Sequence, residues 1–236
     1  MTAHLVALTV DAADPEGLAA FWAGVLRWRP DPGDARVIVP ADDTGFVLRF
    51  LPSNEPKTVP NQVHFDLRSG SQQEQDDTVA RALALGGRHL DIGQLPEEEH
   101  VVLADPEGNE FCVTEAGNGF LADCPFIGAL SSDGTRALGL FWSAALGWPL
   151  VWDQDEETAI RSPHGGPKVS WGGPPLAPKA RRSRWRLELA APAQELPAEV
   201  ERLVALGATR LAPGTGRDDA VSMADPDGNE FSLRPA

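Results

Sequence analysis

Ala104-Asp-Pro-Glu-Gly-Asn-Glu-Phe-Cys-Val113 returns as Ala224-Asp-Pro-Asp-Gly-Asn-Glu-Phe-Ser-Leu233, with seven of ten positions identical. Asp105 and Asp225 stand 120 residues apart, and the same interval carries Phe21-Trp22 to Phe141-Trp142 and Trp28 to Trp148. Ala84-Leu85-Gly86 returns at Ala205-Leu206-Gly207, one residue further on. A single repeat of this length describes two related halves, 1–118 and 119–236, rather than a solenoid of short repeats.

Around that repeat the local signals agree. Asp14-Pro15-Glu16 supplies a capping carboxylate, a first-turn proline and an acid at the positive end of a helix. Leu18, Phe21, Trp22, Val25 and Leu26 then follow at helical spacing. Strands are expected at 5–10, 35–39, 45–51 and 62–67, a helix at 74–85 ending at Gly86 and Gly87, and a closing hairpin at 101–104 and 110–114 across the Asp-Pro-x-Gly-Asn turn. The second half repeats the plan with helices at 135–146 and 197–206, a Pro- and Gly-rich loop crossing at 163–179, and a boundary at 117–123. Each half thus holds two strand-helix-strands units, and the fold class is α+β.

Strand alternation selects the side chains able to do chemistry. His64 and Asp66 share one face of their strand, Glu110, Cys112 and Thr114 share one face of the closing strand, and Thr9 and Asp11 share one face of the first. Opposite faces carry Phe65, Leu67, Phe111 and Val113 toward the helices. The expected architecture is therefore a curved mixed sheet around a wet pocket. The Asp-Pro-x-Gly-Asn turns and Trp22, Trp28, Trp142 and Trp148 read as structural. Trp171 and Trp185 are candidates for an aromatic wall that stacks on a planar ligand. Arg184 and Arg186 fall on the polar face of the second half and are candidates for an anionic ligand group.

Composition narrows the partner. The net charge of −15 excludes a nucleic-acid backbone or an anionic membrane surface as the general partner. It is carried mostly by the first half. No tyrosine is present, so phenol chemistry is excluded, and two cysteines make no disulfide framework. With no basic and apolar leader at the start of the sequence, the expected location is cytoplasmic.

The doubled strand-helix-strands layout, the Asp-Pro-x-Gly-Asn-Glu-Phe turn and Gln-Val-His-Phe-Asp-Leu at 62–67 resemble the vicinal oxygen chelate superfamily of glyoxalases, extradiol dioxygenases and bleomycin-resistance proteins. The likeness is to glyoxalase-like proteins of the kind common in actinobacteria. It implies two tandem glyoxalase-like domains, each of two βαβββ units, forming a pseudo-dimer within a monomer or a homodimer of such chains. It also implies a small-molecule ligand and a divalent metal held by one residue of a first strand, one of the strand opening the next unit and a glutamate opening the last strand.

His64 and Glu110 match two of those positions, as an incomplete site for Mn²⁺, Ni²⁺, Fe²⁺ or Zn²⁺ in the first domain, while the family's spacing puts Ala7 at the third. In the second domain the equivalents are Ile127, Arg186 and Glu230, and since a guanidinium has no lone pair to give, no metal is expected there. Arg186 is expected to serve as counter-charge to Glu230, and His64 and Glu110 to bond to each other when no metal is bound. Superfamily members also exchange units between domains, which would group Ala7 with Arg186 and Glu230, and Ile127 with His64 and Glu110.

Two functions follow from the resemblance. One is an enzyme of lyase, isomerase or dioxygenase type with catalytic Glu110 and His64, lined by Thr9, Asp66 and Cys112. The other is a metal-free binding protein for a metabolite or antibiotic, lined also by Trp171, Trp185, Arg184, Arg186 and Glu230.

Overall fold

The first helix of each half begins where a side-chain oxygen meets the free N–H groups of its first turn. Asp14 accepts from the Gly17 N–H at 3.0 Å, and Thr135 accepts from the Leu138 N–H at 3.2 Å. The structure, a computed structural model, describes every residue except 1–2, 96, 177–178, 180 and 213–218.

Four βαβββ units follow one another. The first is β1 (His4–Ala12), α1 (Pro15–Leu26), β2 (Arg29–Asp31), β3 (Asp34–Val39) and β4 (Val47–Pro52); the second is β5 (Val63–Ser69), α2 (Gln72–Ala84), β6 (Arg88–His89), β7 (Val101–Ala104) and β8 (Glu110–Ala116). The third is β9 (Ile127–Ser132), α3 (Arg136–Leu146), β10 (Leu150–Gln154), β11 (Glu157–Arg161) and β12 (Lys168–Trp171); the fourth is β13 (Trp185–Ala191), α4 (Leu196–Ala205), β14 (Thr209–Arg210), β15 (Val221–Ala224) and β16 (Glu230–Pro235). The α+β reading and the four units agree with the sequence. The stretch at 163–179 is not simply a loop crossing, because Lys168–Trp171 pairs as β12 with β9 and β11; its residues 177–178 lie outside the described ones.

The units pair across the sequence halves. Sheet A runs β14-β15-β16-β13-β1-β4-β3-β2, and sheet B runs β10-β11-β12-β9-β5-β8-β7-β6. Sheet A therefore joins the first unit to the fourth, and sheet B the second to the third. The seams are antiparallel, β1 against β13 with Thr9 opposite Arg186, and β5 against β9 with His64 opposite Ser131.

What holds each half together is a buried carboxylate. Asp105 is fully buried, and its Oδ1 accepts the backbone N–H groups of Glu107 and Asn109 at 2.9 Å each. Its Oδ2 accepts the Asn109 side-chain amide at 2.8 Å and the Trp22 indole N–H at 3.1 Å. Asp225 repeats the arrangement with Asp227, Asn229 and Trp142. The turn thus becomes rigid, and the helix of one unit is fastened to the closing hairpin of the next. Trp22 then packs edge-on against Phe65 at 5.3 Å, Phe111 at 5.0 Å and Trp185 at 5.8 Å, a buried aromatic cluster in which each such contact is worth ~1 kcal/mol beyond area burial.

All four groups meeting the Asp105 carboxylate are N–H donors, so an amide of the same shape would turn an NH₂ against a donor. Asp105→Asn is expected to lower the unfolding free energy by about 2–3 kcal/mol in urea denaturation near neutral pH, whereas an unchanged midpoint would mean the carboxyl is held protonated.

Candidate functional site

The register places four equivalent positions on the concave face of each sheet. In sheet B they are His64 on β5, Ser131 opposite it on β9, Ser170 beside Ser131 on β12, and Glu110 at the start of β8. In sheet A they are Arg186, Thr9, Arg49 and Glu230. The first-strand position is therefore Thr9 or Ser131, not Ala7 or Ile127. Ala7 lies opposite Glu188, and Ile127 is fully buried opposite Leu67. The seam register runs unbroken from Ala7 to Val10 and sets Thr9 opposite Arg186; in the other seam a register shift between Asp66 and Leu67 leaves Ile127 opposite Leu67, with Ser131 opposite His64.

Glu110 does not bond to His64. Its Oε1 accepts from Lys57 Nζ at 2.5 Å and its Oε2 from the Asn61 N–H at 3.1 Å. Glu230 is held the same way, by Lys179 Nζ at 2.7 Å and the Ser183 N–H at 3.3 Å. The expected Arg186 to Glu230 counter-charge is likewise replaced. Arg186 grips Asp11 with two nitrogens at 2.8 and 2.6 Å, because Asp11 lies two residues beyond Thr9 on the same face of the antiparallel seam.

His64 turns instead to its own strand. Its Nε2 lies 3.4 Å from Asp66 Oδ1, and Cys112, opposite Asp66 on β8, completes a cluster whose donor atoms all fall within 4.8 Å of one another. Ser131 Oγ donates to Asp66 Oδ2 and stands 3.2 Å from Ser170 Oγ. Burial opposes charge at both His64 and Asp66, yet their contact and the Ser131 hydrogen bond prevail. His64 is raised to about 10 and the Asp66 carboxyl is held below its usual range. Burial, ahead of the opposing His64 hydrogen bond, pushes the Cys112 thiol up.

His64 opens onto a cavity of about 380 Å³, also lined by Phe120, Ser131, Trp152, Ser170 and Trp171, with Asp133 and Glu157 contributing carboxylates. Phe120 and Trp152 meet edge-on at 5.8 Å. Trp171 touches the cavity but is 3% exposed, seated so tightly that a Cβ on Gly134 would come within 2.4 Å of its ring. Trp185 is core, stacked edge-on against Phe65 at 4.8 Å, and lines no wall of this cavity. Arg184 precedes β13 and binds Glu107 at 2.8 Å and the Asp11 carbonyl. Thr9, Arg186 and Glu230 lie together on sheet A, separated from Asp66 and Cys112 by the exchange of units. Lys57, Phe120, Trp152 and Ser131 went unrecognised in the sequence; the one signal is that Lys57 and Lys179 stand 122 residues apart, the offset that also separates His64 and Arg186.

The metal positions of the superfamily do not fit. Both Glu110 oxygens are taken, and Ser131 and Ser170 offer only neutral hydroxyls. Among the described residues, the group whose atoms could hold a divalent ion is His64 with Asp66 and Cys112, which lie two residues beyond His64 on β5 and beyond Glu110 on β8.

A family model described as a glyoxalase-like domain matches residues 7–114 and again 129–234. Among solved structures, glyoxalase I from Zea mays aligns with a TM-score of 0.63 at 14% identity, covering 99% of this chain and 92% of that one. A Bacillus subtilis structure whose description proposes a dioxygenase aligns at 0.59 and 15% identity, over 99% of this chain and 85% of the other. No curated protein matches the sequence.

Because the folded pKa of His64 is raised, its contribution to stability is complete below about 6.5 and is lost as pH rises through about 10. Asp66, lowered, loses its contribution on acidification. In chelator-treated protein the stability gap between wild type and His64→Gln is expected to shrink steadily from near-neutral to alkaline pH in urea melts; a gap independent of pH would contradict the pairing.

Proposed function

The chain belongs to the glyoxalase-like domain family, with two copies in tandem, and from that premise we propose that it acts on a small molecule at the concave face of sheet B, where His64, Asp66 and Cys112 hold a divalent transition metal. One cluster carries this reading. A nitrogen of His64, an oxygen of Asp66 and the sulfur of Cys112 all lie within 4.8 Å of one another on adjacent strands, and ligand atoms about 2.0–2.3 Å from a tetrahedral ion stand roughly 3.3–3.8 Å apart.

The surroundings support it. Ser131 occupies Asp66 Oδ2 and so leaves Oδ1 aimed at His64, the orienting contact that ligating carboxylates use. A nitrogen, an oxygen and a sulfur donor suit Zn²⁺ or its neighbours better than Mg²⁺ or Ca²⁺. Asp133 and Glu157 add negative charge to the cavity, which favours a cation there and disfavours a free anion. When bound, the ion supplies Lewis acidity toward a carbonyl or a pair of vicinal oxygens. The protein supplies the rest: Phe120 and Trp152 offer an aromatic surface to a planar ligand, and the Ser131 and Ser170 hydroxyls supply hydrogen bonds beside His64.

A second reading is a metal-free binder, favoured by the Asp66 contact that keeps a proton on His64 and so makes it a hydrogen-bond donor to a ligand oxygen. Cobalt separates the two. Titrating Co²⁺ into chelator-stripped protein is expected to give tetrahedral visible bands with a thiolate-to-cobalt band in the near ultraviolet, both saturating near one equivalent. Cys112→Ser should remove the thiolate band, His64→Ala should abolish tight binding, and Glu110→Gln should change neither. Absence of any bound-cobalt spectrum leaves the binder; a spectrum lost in Glu110→Gln but kept in Cys112→Ser returns the metal to the superfamily's own positions.

A further inference from the structure

Sheet A carries a cavity of about 460 Å³ on its concave face, within the range of small-molecule sites. The charged side chains facing it are almost all committed. Arg186 is bound to Asp11, Glu230 to Lys179 at 2.7 Å, and Glu188 to Arg234 at 2.8 Å; Arg182 is engaged as well. Arg49 differs. Its Nε is buried without a hydrogen-bond partner, and its one ion-pair contact among the described residues is Glu188 Oε2 at 4.0 Å, beyond hydrogen-bond reach. A guanidinium presents five N–H donors in a planar fork, and the buried Nε donor of Arg49, left unmet, costs free energy that the folded chain does not recover.

We propose that the sheet A cavity binds the carboxylate of a small organic acid, received by Arg49. The fork geometry matches a planar carboxylate through two parallel hydrogen bonds. Glu188, close to Arg49, repels a doubly charged phosphate more than a singly charged carboxylate. Leu51 and Leu211 border the same cavity and provide apolar surface for a short organic tail. The Thr9 hydroxyl is already spent on the Arg186 carbonyl, so it adds no competing donor. This site is independent of the sheet B reading: its positions are Thr9, Arg49, Arg186 and Glu230 where sheet B has Ser131, Ser170, His64 and Glu110.

Isothermal titration of the whole protein with sodium acetate, benzoate and succinate tests it, with benzamide as the uncharged counterpart of benzoate and inorganic phosphate as the competing anion. At least one carboxylate is expected to bind one to one and more tightly than phosphate, and benzamide to bind at least about tenfold more weakly than benzoate. Arg49→Gln should weaken the carboxylate about tenfold or more, Arg49→Lys should recover part of that loss, and His64→Ala should leave it unchanged. Without ligand, Arg49→Met should melt no lower than wild type, since it relieves an unmet donor. The proposal is overturned if none of the three carboxylates binds, if benzamide equals benzoate, if phosphate binds tightest, if Arg49→Gln has no effect, or if Arg49→Met alone markedly lowers the melting temperature.

Discussion

A carboxylate buried at the head of a tight turn, receiving an indole N–H from a helix in the preceding unit, is the contact on which the arrangement of this chain depends. Asp105 orders its own turn through two backbone N–H groups and one amide, and reaches Trp22 with the same oxygen that receives the amide. The closing strand leaves that turn with Glu110 first and Cys112 two residues later on the same face, so the position of both is set by the same carboxylate. Asp225 does this again for Glu230 and Ser232. Hydrogen bonds of helix to turn run within each half, while the strand seams run between halves, and the two sets of contacts tie all four units into one body of structure.

Pairing across the halves gives the two concave faces different chemistry from one scaffold. Both retain a glutamate at the start of the last strand, and both hold it with a lysine and a backbone N–H from the preceding loop. Elsewhere they part. Sheet B has a histidine, an aspartate, a cysteine and two serine hydroxyls, a set suited to a cation. Sheet A has arginines at the positions of His64 and Ser170, and one of them lacks a hydrogen bond at its buried Nε. An acidic face and a guanidinium face within one chain call for ligands of opposite charge.

Much of the fold was legible in the sequence because its signals are local. The Asp14 cap, the helical runs and the repeated turn all act over a few residues, and each produced the element expected of it. The strand Lys168–Trp171 was hidden by the Gly and Pro around it, since four residues with one buried valine and one buried tryptophan do not outweigh such flanks. His64, Asp66 and Cys112 were legible as polar-face neighbours, but the partners of Glu110 and Arg186 were not. Lys57 reaches Glu110 from a loop 53 residues away, and Arg186 meets Asp11 across 175 residues of chain. The facing positions, Thr9 opposite Arg186 and Ser131 opposite His64, stand 122 residues apart where Phe21 and Phe141 stand 120 apart, and a count back from the helices lands on Ala7 and Ile127 instead.

The central claim is that the reactive set of sheet B is His64, Asp66 and Cys112, with Glu110 closed off by Lys57. Zinc-edge X-ray absorption on protein loaded with one equivalent of Zn²⁺ examines the ion's neighbours directly. The account requires one sulfur at about 2.3 Å among nitrogen and oxygen neighbours at about 2.0–2.2 Å. A shell of nitrogen and oxygen alone, persisting unchanged in Cys112→Ser, would contradict it.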